Sequence, residues 1–197
     1  MHLFFFKKKI CFAFVLAFTM ISSLAQAQQG ERVINTTSIK GGILAMTLSK
    51  EYSTGKITTI NFELGFLTGS ASYSAIDKDW RWGLPLGVMV EPRIYYNFGQ
   101  RSARNKNVRF NAADFFSLAT SYSSGISMGN IGSNPAILII PHWGIRRMMG
   151  NRFYFEPSIG YGIGYVFSPK STEDWTDTFS LNIKFGFLLD TSPSKAK

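Results

Sequence analysis

The stretch from Arg152 to Phe167, RFYFEPSIGYGIGYVF, constrains this chain more than any other. Its odd positions are Phe153, Phe155, Pro157, Ile159, Tyr161, Ile163, Tyr165 and Phe167, and its even positions are Tyr154, Glu156, Ser158, Gly160, Gly162 and Gly164. A strict period of two marks an extended strand whose two faces meet different surroundings. In a water-soluble sandwich the face opposite the apolar one would be charged and solvated. Here it is glycine and serine, which suits the crowded inside of a narrow closed barrel with bulky side chains pointing outward.

The segment Ile137 to Met149 precedes it, joined through Met149-Gly150-Asn151. A three-residue loop at those positions sets Arg146 opposite Tyr154 and Gly144 opposite Glu156. Ile137, Ile139, Pro141, Trp143 and Ile145 then share the outward face, and His142, Arg146 and Glu156 the inward one. A two-residue loop would invert one strand and turn Arg146 outward, where a charge in lipid costs about 2–4 kcal/mol.

The same alternation recurs along the chain. Ile43–Tyr52, Ile57–Gly69, Leu84–Phe98, Phe115–Gly125 and Thr178–Leu189 each present one apolar face, with Phe62, Leu64, Val88, Val90, Phe116, Ile183 and Phe185 among its members. Residues 28–39 supply a first strand, and Lys40-Gly41-Gly42 reads as the turn after it. Pro85 and Pro92 lack ladder donors and read as bulges. With eight strands the expected fold is all-β: a closed antiparallel transmembrane β-barrel. Segments 70–83, 126–135 and 168–177 read as loops at one end, and the basic segment Gly99–Ala113 as a long solvated connection at the other.

The beginning of the chain is read apart from the fold. Lys7, Lys8 and Lys9 precede an apolar run, Ile10 to Ile21, and Ala25-Gln26-Ala27 offers a small-x-small cleavage pattern, so residues 1–27 are expected to be a signal peptide and 28–197 the barrel domain. The single cysteine, Cys11, lies in that leader, so no disulfide is expected to hold the exported fold. The net charge of +9 includes the three leader lysines, and part of the remainder crowds into Arg101, Arg104, Lys106 and Arg109. Export argues against nucleic acid as their partner and for anionic headgroups. With 45% hydrophobic residues and no long apolar run beyond the leader, the chain can hide its apolar surface by turning every second residue to lipid.

This pattern resembles the small eight-stranded outer-membrane β-barrels of gram-negative bacteria, the class of the OmpA membrane domain, OmpX and OmpW. LSKEYSTGKITTINFELGF, EPRIYYNF and GIRRMMGNRFYFEPSIGYGIGY look more particularly like a family of outer-membrane β-barrel domains within that class. The resemblance implies a monomer in the cell outer membrane, in contact with its lipid and lipopolysaccharide. It also implies assembly by the barrel-assembly machinery, with Gly186, Phe187 and Leu189 in the final strand as the signal. That strand departs from the usual signal by lacking a terminal aromatic.

Chemistry in such a chain would sit in the interior. The inward polar set is Glu63, Glu91, Arg93, His142, Arg146, Glu156 and Lys184, with Asn61 and Asn182 beside it. Confined charges must pair, so these are expected to interlock as a plug, with a porin-like pore or a conduit for hydrophobic molecules as the alternative. A lipid A-modifying enzyme ranks below both. Its deacylase form needs a serine beside the histidine, and His142 is followed by Trp143 and Gly144. No catalytic residue, cofactor or metal site is expected. Trp80, Trp82, Trp143, Trp175, Tyr161 and Tyr165 read as membrane-interface aromatics, together with Tyr95 and Tyr96. Trp80 and Trp82 could instead contact a partner.

Overall fold

Alternating side chains dictate extended backbone, and the structure, a computed structural model, makes each alternating stretch a strand. It describes residues 32–42, 45–67, 69–74, 78–167 and 175–190, the side chains of 70–74 and 79 excepted. The N-terminal residues with Cys11, on which the expected signal peptide falls, the acids Asp77, Glu173 and Asp174, and the residues from 191 lie outside them. In chain order the strands are β1 (Thr36–Gly42), β2 (Ala45–Ser53), β3 (Thr58–Phe66), β4 (Ser70–Ser74) and β5 (Asp79–Ile94), then β6 (Asp114–Gly129), β7 (Pro135–Ile145), β8 (Arg147–Met149), β9 (Phe153–Val166) and β10 (Trp175–Leu188). A short helix, α1 (Phe98–Ala103), and a 3-10 turn at Arg109–Asn111 separate β5 from β6.

Every pairing is antiparallel, in the order β10-β1-β2-β3-β5-β6-β7-β9, and β9 returns to β10. The single sheet therefore closes as a ring of eight strands, sealed between the first and last from Ser38↔Leu188 to Gly42↔Lys184. Short β8 continues β7 along β9, and β4 pairs with β5 alone, beyond the ring. On the outer face stand Phe62, Ile183 and Phe185, with Phe155 half-buried against Phe185 at a ring separation of 5.2 Å.

Several local expectations change. Lys40-Gly41-Gly42 is not a turn, because the alternation of Thr36, Ser38 and Lys40 inward with Ile39 outward runs on through the glycines, paired on both sides. The expected loop 70–83 is mostly a hairpin, with Tyr73↔Trp80 and Ala71↔Trp82 as partners. β6 likewise runs on to Gly129, while β5 ends at Ile94 and leaves Phe98 to the helix. A register shift occurs beside Pro85, as expected of a bulge, whereas Pro92 stays in register opposite Ile60. In the β8–β9 hairpin Met149 pairs with Phe153, so the loop is Gly150-Asn151-Arg152, and Gly150 takes its positive φ of 77°. Gly144 consequently faces Ser158, and Arg146 comes level with Glu156 rather than Tyr154. The displacement is two residues, which preserves the faces.

The segment 99–113 is more than a solvated loop. Arg104, Lys106 and Arg109 are exposed, but Phe98, Val108, Phe110, Ala112 and Ala113 are buried and close one end of the ring. Phe98, Val108 and Ala113 pack with Val33, Tyr95 and Phe115, while Phe110 packs with Tyr154 and Leu188. Side-chain amides pin this cap. Asn111 exchanges two bonds with the Ile34 backbone, 2.8 and 2.9 Å, and Asn97 two with Asp114, 2.6 and 2.9 Å. Arg101 reaches the carbonyls of Ala112 and Asn107. Phe110 and Asn111 both have left-handed backbone, φ 52° and 64°, which a phenylalanine adopts at a cost that its buried ring offsets.

Candidate functional site in the interior of the ring

The inward positions of the strands converge on a buried ionic network at the capped half. Glu156 of β9 is its hub. It accepts from Lys40 Nζ (3.2 Å), from both terminal nitrogens of Arg93 (3.0 and 3.1 Å) and from Arg146 Nε. Glu63 of β3 accepts from Lys40 (2.7 Å), Lys184 (2.9 Å), Thr47 and Asn61. Glu91 takes Arg93, Asn61 and Ser117. Glu51 takes Arg146 (2.7 Å), the Tyr95 hydroxyl (2.7 Å), Thr59 and Thr36.

Four carboxylates thus face four cations, Lys40, Arg93, Arg146 and Lys184, and the formal charges cancel. All but Lys184 are nearly inaccessible, at 4% exposure or less. Taking so many charges from water is tolerable only because each has an opposite partner and further hydrogen bonds. Aromatic faces complete the shell: the Arg93 guanidinium lies 4.5 Å from the Phe115 centroid, and that of Arg146 lies 4.7 Å from Tyr154. Tyr154 in turn bonds Ser38 at 2.7 Å, and its ring occupies the space a Cβ on Gly186 would need. Arg146 also donates to the Phe110 carbonyl (3.3 Å), which ties the cap to the network.

The other half of the interior is built differently. His142, Gly160 and Ser180 sit on one rung of β7, β9 and β10, and His142 Nε2 meets Ser180 Oγ at 3.0 Å across the glycine. Asn182 Nδ2 donates to the same hydroxyl at 2.8 Å. Beyond this rung the inward residues of the ring strands are small or neutral, among them Met89, Ser121, Ser123, Leu138, Gly162, Gly164 and Thr178. Most are half-buried, whereas those of the ionic half are buried.

All seven residues of the inward polar set therefore line the interior, six in one ionic network and His142 one rung away. Lys40 and Glu51 belong to the network and escaped the sequence reading. The signal was parity: Lys40 follows Thr36 and Ser38, and Glu51 follows Thr47 and Ser49, at steps of two. Tyr95 is corrected from an interface aromatic to a core residue, fully buried with its hydroxyl on Glu51, because it shares parity with Glu91 and Arg93. Trp143 lies on the outer face toward the capped end, donating to the Tyr96 hydroxyl at 3.0 Å. Tyr161 is exposed on the outer face of β9. Tyr165 and Trp175 pack edge to face toward the opposite end, 5.2 Å apart, and exposed Trp80 and Trp82 stand on the protruding hairpin.

Chemically, the ionic half holds charges fixed and saturated, which suits bracing rather than proton or group transfer. The histidine–serine contact has the atoms of a nucleophile and a base, but Asn182 offers the serine a donor rather than a carboxylate to orient the base. Among the described residues no group of three metal-ligating side chains comes together. Comparison with family models, with curated proteins and with solved structures found no match to this chain.

Proposed function

We propose that this chain is an integral outer-membrane β-barrel of gram-negative type, closed inside by its own ion pairs, with a structural or surface-interaction role and no catalytic activity of its own. One observation carries the reading. Each of the eight ring strands bears large apolar side chains in the open on its outer face, from Ile137 (36%) to Phe179 (64%), while the inner face holds the interlocked ion pairs. That is the reverse of a water-soluble fold, and a lipid surround makes it favourable. The eight ring strands leave no edge among themselves to pair, short β4 lying beyond the ring, which fits a monomer.

In this reading the short turns and the cap face the periplasm and the β4–β5 hairpin faces outward, toward lipopolysaccharide. Trp143 with Tyr96 marks one membrane interface, Tyr165 with Trp175 the other. Trp80 and Trp82, exposed on that hairpin, are the contacts for a partner at the surface. The assembly machinery would receive β10, with Gly186, Phe187 and Leu189, during biogenesis. The network and the cap weigh against a pore.

Two measurements test this. The folded protein should fractionate with outer membranes and migrate differently on a gel before and after boiling; recovery in the soluble fraction without detergent defeats the membrane reading. In planar bilayers it should be electrically silent, and discrete, salt-dependent conductance steps defeat the plugged interior.

A further inference from the structure

Among the described residues the exposed charges at the capped end are nearly all cations. Around the capped end every described connection offers an exposed cation: Arg32 in the lead-in to β1, Lys56 in the β2–β3 turn, Arg104, Lys106 and Arg109 on the cap, and Arg152 in the β8–β9 turn. Among the described residues the carboxylates at this end are few. Glu51 is buried, Asp114 is held by Arg147 and Asn97, and Asp190 alone is exposed.

Just inside the cationic rim, on the outer face, Lys50 lies 5.7 Å from the centroid of exposed Tyr52 and bonds Thr37. On the far side of the ring Trp143 bonds Tyr96. Amphipathic aromatics beside long cationic side chains are the furniture of a membrane interface, with the apolar stems lying along the wall and the charges rising to headgroup level.

We propose that the capped end is a docking rim for the phosphate headgroups of an anionic glycerophospholipid leaflet. The inference rests on the membrane reading above and adds a lipid preference and a sidedness to it. Cations spread around a whole perimeter, rather than gathered in one pocket, fit many small mobile anions better than one folded acidic partner. Each Lys or Arg at such a surface adds to the attraction, which salt screens within a Debye length.

The test uses Trp143 as reporter, since it sits on the outer wall at the rim's level. The full chain carrying W80F, W82F and W175F is folded into phosphatidylcholine vesicles containing equal fractions of chain-brominated phosphatidylglycerol or chain-brominated phosphatidylcholine. Quenching of Trp143 should show a preference for phosphatidylglycerol of about tenfold at low salt, lost in molar salt. K56Q/R104Q/K106Q/R152Q, all four side chains being exposed, should remove the preference and keep the heat-modifiable fold. Equal quenching by both lipids in a heat-modifiable protein overturns the rim and leaves the membrane reading standing. No quenching by either lipid, with no gel shift, overturns both. Should the tryptophan substitutions prevent folding, the salt dependence of quenching in the unsubstituted chain decides the same question. Displacement of phosphatidylglycerol by added lipopolysaccharide overturns the assignment to glycerophospholipid.

Discussion

The two halves of the ring's interior share the same walls and the same outward pattern, yet they are filled by opposite means. Toward the cap, eight charged side chains interlock around Glu156 and Glu63. Toward the hairpin, small or uncharged side chains and one histidine line the space, and contacts such as those of His142 and Asn182 with Ser180 involve no ion pair. A wall of fixed curvature accepts either filling, so the wall specifies closure and the filling specifies how firmly it is held. The ionic half is expected to carry most of the stability that side-chain substitution can remove.

The largest loss should follow Glu156→Gln, which strips the shared partner from Lys40, Arg93 and Arg146: about 3–5 kcal/mol, read as a lowered urea midpoint of the protein refolded in detergent. Phe110→Ala should cost about 3 kcal/mol on the same measurement, because it empties the cap's buried aromatic site while keeping its left-handed backbone. Glu51→Gln should cost about 2 kcal/mol, since Arg146 retains Glu156. For Lys184→Met the expected cost is about 1 kcal/mol, Glu63 being left with Lys40. Smallest is Ser180→Ala, at about 0.5 kcal/mol. A Ser180 variant as damaging as the Glu156 one would erase the contrast between the halves, and an order rising evenly from Ser180 to Glu156 would sharpen it.

Much of this was legible in the sequence, and the reason is geometric. Parity survives any even error in register, so a hairpin displaced by two residues still set Arg146 and Glu156 inward and Trp143 and Phe155 outward. What failed lay where parity competes with composition. The glycine pair after Lys40 resembled a turn and hid a core lysine. The polar stretch around Arg104 and Lys106 hid Phe98, Val108 and Phe110, whose apolar character is spaced too irregularly for any strand or long helix to claim. Glu51 sat at the correct step after Ser49 but beside a turn, where a charge is usually solvated. Ser180 as the partner of His142 could not be read at all, because their meeting depends on β9 intervening with a glycine between them.

Glu63 touches lysines from both sides of the seam, Lys40 on β1 and Lys184 on β10, although it belongs to neither strand. It can satisfy both only when the first and last strands have met at the correct rung. A slip of two residues there, which alternation alone would tolerate, takes one of the two ammoniums from it. The carboxylate thus favours the one register of closure that brings both lysines to it.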